Sequence, residues 1–180
     1  MNEKTVSGGV RGQSAGATAI CTVGKEGVGL TYRGYNIEEL AQEVSFEEVA
    51  YLLLYGELPT QPQLDAFRLN IKSKRDLPRP LKEVLERMPA DSRPMDVIRT
   101  GCSMLGVLEP EISFEQQDSI AERLLGILPS ILLYWYHFTA RGERISTEDN
   151  ANSVAGHFLT LIISWVSRHR ILPPCLSCRE

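Results

Sequence analysis

Histidine is scarce in this sequence, and the familiar catalytic strings are missing from it. The three histidines are His137, His157 and His169, and none stands in an HExxH pair. There is no GxSxG elbow, no Walker loop and no GxGxxG turn, so zinc-protease, serine-hydrolase, nucleotidase and dinucleotide readings have nothing to stand on. Basic runs are lacking too. Nineteen basic residues against 23 acidic ones leave a formal net charge of −4, the wrong sign for a polyanion, and no nucleic-acid partner is expected. The opening stretch MNEKTVSGGVRGQSAG has no apolar core behind its charges, so it does not read as a secretory leader. Residues 1–14 read as a mobile arm. Four cysteines, at 21, 102, 175 and 178, do not make the dense frame of a small secreted protein, and a reducing, cytoplasmic setting is expected. One apolar segment invites a membrane reading: Leu124 to Phe138 carries no charge. It falls short of the roughly 20 residues a spanning helix needs, and Arg123 and Arg141 flank it. A buried helix is expected there, and no membrane partner.

What is present is mostly helical pattern. Only ATAICTV (17–23) and GLTYRGY (29–35) lean to strand, around Gly24-Lys25-Glu26-Gly27, which predicts a short N-terminal hairpin. Asn36 can cap IEELAQE, with Glu39 at the capping-box position, and Ser45 with Glu48 does the same for FEEVAYLLLYG. Gly56 stops that helix. Thr60 starts another through QLDAFRLNIKSKR, with Leu64, Phe67 and Ile71 on its apolar stripe. Helices are then predicted over 80–88, 94–108, 114–138 and 153–166, the third bent at Pro129. No internal repeat or long linker interrupts them. The expected class is all-α, with a small hairpin in front.

The helix over 94–108 carries its polar residues, Asp96, Arg99, Thr100 and Ser103, on one narrow face. Asp96 and Arg99 can pair for a few tenths of a kcal/mol. Gly101 and Gly106 each cost about 1 kcal/mol against alanine in a helix, so a close backbone approach is expected to offset them. The helix reads either as core of this chain or as shared between a core and a subunit interface. His137 lies among Tyr134, Trp135, Tyr136 and Phe138, which is the setting of a core histidine; His157 has no carboxylate three or four residues away. The pairs Glu38-Glu39 and Glu47-Glu48 open helices, where the helix dipole explains them. Cys175-Leu176-Ser177-Cys178 with His169 offers three ligands where structural zinc uses four. No metal, cofactor or catalytic residue is assigned.

In order and spacing, YRGYNIEELA (32–41), FEEVAYLLLYGELPT (46–60), PMDVIRTG (94–101), SILLYWYHF (130–138) and AGHFL (155–159) resemble the N-terminal half of the citrate synthase family. The resemblance runs from about residue 15 to 162 and is strongest to the 2-methylcitrate synthase branch; residues 163–180 read as a tail outside it. It implies a truncated multi-helix domain of citrate synthase type. It also implies condensation of propionyl-CoA or acetyl-CoA with oxaloacetate, followed by release of CoA. In that chemistry an aspartate removes the α-proton of the thioester, one histidine stabilises the enol and another polarises the ketone, without metal or redox cofactor. The family's strings for those groups, of the types GPxHGG, GFGHP and AEHEF, do not occur in this chain. His137 and His157 match scaffold positions, and Arg93 stands where the family commonly has histidine. The helices over 94–108 and 118–138 resemble those that pair across the homodimer of the intact family. That resemblance points to Met95, Ile98, Gly101, Cys102, Leu105, Ile131, Tyr134 and Trp135 as interface residues. The chain alone is expected to be inactive, or to act as a helical module that pairs with itself or with a full-length subunit.

Overall fold

The structure is a computed structural model that describes residues 18–22 and 29–168. The arm, the 24–27 turn and the Cys175–Cys178 pair lie outside the described residues. The expected hairpin is a sheet of three two-residue strands: β1 (Cys21–Thr22), β2 (Thr31–Tyr32) and β3 (Tyr35–Asn36), antiparallel throughout in the order β1-β2-β3. The turn between β2 and β3 is Arg33-Gly34, with φ of 49° and 93°. Both central residues at positive φ make the tight hairpin whose twist suits the flanking strands. Arg33 holds this unusual backbone while its guanidinium donates to the Leu53 carbonyl at 2.9 Å, which ties the sheet to the helices.

Seven helices follow among the described residues: α1 (Ile37–Glu43), α2 (Phe46–Tyr55), α3 (Gln61–Ser73), α4 (Arg79–Glu86), α5 (Pro94–Leu108), α6 (Gln117–Arg141) and α7 (Val154–Arg168). Asn36, Ser45 and Thr60 cap helices as the sequence announces, but the box expected between Asn36 and Glu39 does not form and Gln63 adds one to Thr60. Asn36 Oδ1 accepts from the Glu38 N–H at 2.8 Å. Ser45 with Glu48, and Thr60 with Gln63, form reciprocal capping boxes. Gly56 ends α2 at φ 95°. The third predicted long helix is preceded by a 3-10 turn, Phe114–Gln116, and α6 then continues without interruption through the buried Pro129. Proline removes one donor from the ladder. The helices packed around α6 hold it together through that gap instead of letting it break.

α6 is the axis, and α3, α4, α5 and α7 all pack on it. The core joins Leu77, Leu81 and Leu85 to Val97 and Leu105 of α5 and to Ile127, Ile131, Tyr134 and Trp135 of α6. Burying an aliphatic side chain of this size contributes about 1.5–3 kcal/mol. The close approach expected for Gly101 is real: a Cβ there would meet Ile131 Cγ2 at 2.6 Å. The same expectation fails for Gly106, where a Cβ would meet nothing within 4 Å. Gly126 is the tighter point, because its Cβ would lie 2.6 Å from the Ile71 backbone oxygen. A carbonyl cannot swing aside as a side chain can. Gly126→Ala is therefore expected to cost about 1–3 kcal/mol, whereas Gly106→Ala, in open space on a helix, gains up to about 1 kcal/mol. Urea denaturation of the two variants checks this, and equal midpoints would overturn it.

Candidate functional site

The sequence places no nucleophile beside a base, but the tertiary structure does. Arg75, just past the end of α3, is 3% exposed. One guanidinium nitrogen, Nη1, donates to Asp149 Oδ1 and to the Ala151 carbonyl, both at 2.8 Å, and Nη2 donates to the Ser153 carbonyl at 3.0 Å. Asp149 Oδ2 accepts from His157 Nδ1 at 2.5 Å. A carboxylate only accepts, so the imidazole proton belongs on Nδ1, and Nε2 accepts from the Ser130 hydroxyl at 3.0 Å. A run of 74 residues separates Arg75 from Asp149, and Asp149 lies eight before His157, outside helical i±3 or i±4 spacing. That is why sequence periodicity did not pair them.

This connectivity is that of a serine-histidine-aspartate triad. Its access is not. Ser130 sits in the middle of α6, and both it and His157 are fully buried. The cluster works instead as a strut that fixes the 142–153 segment and the start of α7 onto α3 and α6. Glu47 completes it. Its dipole role at the start of α2 was expected, but the side chain is 3% exposed and reaches across the fold. Glu47 Oε1 accepts from the Val154 N–H at 2.8 Å, a negative charge on the first turn of α7. Arg68 stands 3.9 Å from it. Glu122 makes a second buried junction, accepting from Tyr55 Oη at 2.7 Å and from Asn70 Nδ2 and Lys74 Nζ at 2.5 Å each. Among the described residues no three His, Cys, Asp or Glu side chains gather at metal-binding range.

The residues expected at an interface divide. Gly101, Leu105, Ile131, Tyr134 and Trp135 are buried within this chain's own packing, and Tyr134 Oη donates to Glu86 at 2.7 Å. Met95 is 72% exposed, and Ile98 and Cys102 are half-buried. His137 is a core histidine, as expected, with Nε2 donating to the Leu161 carbonyl at 3.1 Å. Among the described residues, apolar side chains line two notable concavities. One, of about 250 Å³, lies between the start of α5, α6 and α7, lined by Pro94, Leu132, Leu133, Trp135, Tyr136 and Ile162. The other, of about 350 Å³, runs between α2 and α6. No helix among the described residues is long and apolar enough to cross a membrane.

Comparison with known proteins bears on what such a scaffold belongs to. The family model described as "Citrate synthase, C-terminal domain" matches residues 9–172. A 2-methylcitrate synthase of Shewanella oneidensis is 58% identical over 160 residues, which are 89% of this chain and 43% of that protein. A citrate synthase-related protein of Dictyostelium discoideum is 45% identical over 144 residues, 79% of this chain and 34% of that one. The crystal structure of citrate synthase from Thermotoga maritima superposes with a TM-score of 0.73 at 27% identity, covering 88% of this chain and 42% of its own. The chain thus spans less than half the length of the curated relatives it matches.

The buried cluster gives a pH signature. Burial pushes the His157 imidazole below its ordinary value; the Asp149 hydrogen bond works against this and the Arg75 charge adds to it. Burial works to raise the Asp149 carboxyl, but hydrogen bonds from His157 and the Ala151 N–H, with the Arg75 charge, hold it low. Unfolding releases His157 to take up a proton the folded chain refuses. Its contribution is full above the unfolded value of about pH 6.5 and is lost as pH falls below it. Asp149 adds a further loss below about pH 4. The urea midpoint is expected to drop between pH 7 and pH 5.5, and to drop less in His157→Gln. An equal drop in both proteins would show that His157 is not the source.

Proposed function

This chain belongs to the citrate synthase family, and we propose that it is the N-terminal portion of a synthase of the 2-methylcitrate type. The order of its motifs supports the N-terminal placement, although the matching family model is described by its C-terminal domain. The observation that carries the reading is the 58% identity to a 2-methylcitrate synthase over 89% of this chain. The parent reaction is the condensation of propionyl-CoA, or acetyl-CoA, with oxaloacetate and the release of CoA. Proton abstraction, enol stabilisation and polarisation of the ketone need a carboxylate and two histidines held at fixed distances. His137 and His157 are committed to the core, with ring contacts to Leu161, Ser130 and Asp149. The part of the fold in hand is therefore scaffold: it sets helix positions and leaves the reacting groups to the rest of the family's fold. Alone it is inactive.

A second reading is favoured by the open apolar concavities and the exposed Met95: a helical module that pairs with itself or with a full-length synthase subunit. Met95, Ile98 and Cys102, with the Trp135 edge of the 250 Å³ hollow, are its contact. Purified chain given propionyl-CoA and oxaloacetate is expected to release no free CoA thiol above buffer, and turnover would overturn the inactive-scaffold reading. Sedimentation is expected to show a dimer, or a mixed species with full-length subunit. A sharp monomer unchanged on mixing would dismiss the module.

A further inference from the structure

Another hollow, of about 420 Å³, lies where the end of α3, the second half of α5 and the first turns of α6 meet. Unlike the two apolar ones, it joins both kinds of wall. Leu105, Ile120 and Leu124 give it apolar surface, and Lys74 and Ser119 bring polar atoms to it. Gly106 lies in the same lining. Glycine inside a helix is a cost, and a Cβ at Gly106 would meet nothing within 4 Å. No packing partner among the described residues takes up the space this glycine leaves, and that space is the hollow. The polar atoms are also short of acceptors. Lys74 Nζ gives one short bond, to Glu122 at 2.5 Å, and only long ones to the Ser119 carbonyl and hydroxyl at 3.4 and 3.5 Å. Glu122 itself is buried and lines no part of the hollow. The Ser119 hydroxyl proton finds no acceptor among the described residues.

We propose that this hollow is a binding site for an aliphatic monocarboxylate of medium chain length. Its carboxylate sits on Lys74 Nζ and the Ser119 hydroxyl, and its chain lies along Leu105, Ile120 and Leu124 beside Gly106. A few convergent donors among apolar walls are the build of a small-molecule site. The donors select the head group. A carboxylate only accepts, and its charge matches the ammonium. Arg123 also lines the hollow but is already engaged. Its Nε and Nη2 donate to Glu109 at 3.1 and 2.9 Å, and its Nη1 donates to the Lys74 and Asp76 carbonyls. One ammonium and one hydroxyl therefore remain, enough for a carboxylate and few for a phosphate ester. An organic cation would face Lys74, and the Glu109 carboxylate that might receive it is held by Arg123. Cys102 is part of the lining too. Burial pushes its thiol up, so it stays neutral and serves as a reporter of occupancy, not as a nucleophile.

Calorimetric titration of the full chain with sodium octanoate tests this, and saturable binding at a single site is expected. Each buried methylene strengthens binding about fourfold, so butyrate is expected to bind about tenfold or more weakly than octanoate. Octylammonium is expected not to bind. Ser119→Ala removes one donor to a charged head and is expected to weaken octanoate about tenfold. Gly106→Leu fills the hollow from a position with open space and is expected to abolish saturation. Val107→Ala, at the 74% exposed next residue, is expected to leave the affinity unchanged. Octanoate is also expected to slow iodoacetamide labelling of Cys102, read by peptide mass spectrometry, and to leave the free Cys21 unaffected. No saturation, equal binding of octylammonium, equal slowing at both cysteines, or full affinity in a folded Gly106→Leu would each overturn the proposal. Should Gly106→Leu not fold, Ser119→Ala decides, and unchanged affinity there overturns it. A chain that ignores octanoate but loses self-association in Gly106→Leu assigns the hollow to a subunit contact and likewise overturns it.

Discussion

Everything in this fold follows from the need to cover α6. Fifteen consecutive residues, Leu124 to Phe138, carry no charge, so most faces of this helix are apolar and require neighbours. α3, α4, α5 and α7 supply them, and two glycines set how closely they come. Gly101 lets α5 rest on Ile131, and Gly126 lets α6 rest on the backbone at the end of α3. Cover of this kind also explains the tolerance of Pro129 in mid-helix, since tertiary packing outweighs one lost ladder bond.

Polar groups enter this apolar interior mainly as linked sets, although Arg75 Nε, Trp135 Nε1 and Thr147 Oγ1 are buried without a hydrogen-bond partner among the described residues. Arg75, Asp149, His157 and Ser130 hand hydrogen bonds from one to the next, and Glu47 closes the start of α7. A buried charge is tolerable only when paired and bonded, and removing one partner strands the other. The cluster ties α7 and the 142–153 segment to α3 and α6 through hydrogen bonds that no single member can lose without stranding its neighbour. Its likeness to a catalytic triad is one of connectivity, and burial removes the reactivity that the same atoms would have at a surface.

Family membership gives this scaffold its meaning. The chain spans less than half the length of these relatives, and apolar surface stays exposed among its described residues. The hollow beside Trp135 and the groove between α2 and α6 are both apolar, and both lie on the same axial helix. The exposed Met95 and the half-buried Ile98 and Cys102 stand apart from the core in the same way.

The sequence by itself determined which stretches are helical, and their ends to within a few residues, because caps and stops act locally; the long helix expected over 114–138 runs Gln117–Arg141 after a 3-10 turn. Ser45 with Glu48, Thr60 at a helix start, Pro94 in a first turn and Gly56 at a C-terminus are local chemistry, legible without a fold. Motif order likewise made the family legible, and the absence of its catalytic strings was plain from the same letters. Only the tertiary structure decided which glycine mattered: Gly101 and Gly106 look alike in one helix, but only one of them meets a neighbour. It alone paired His157 with Asp149, turned Glu47 from its own helix to the start of another, and drew Tyr134 and Trp135 into the core. Those outcomes depend on contacts between residues up to 107 positions apart, as in the Val154–Glu47 bond. No local period encodes such contacts, because the distance between two such groups is set by how whole helices pack.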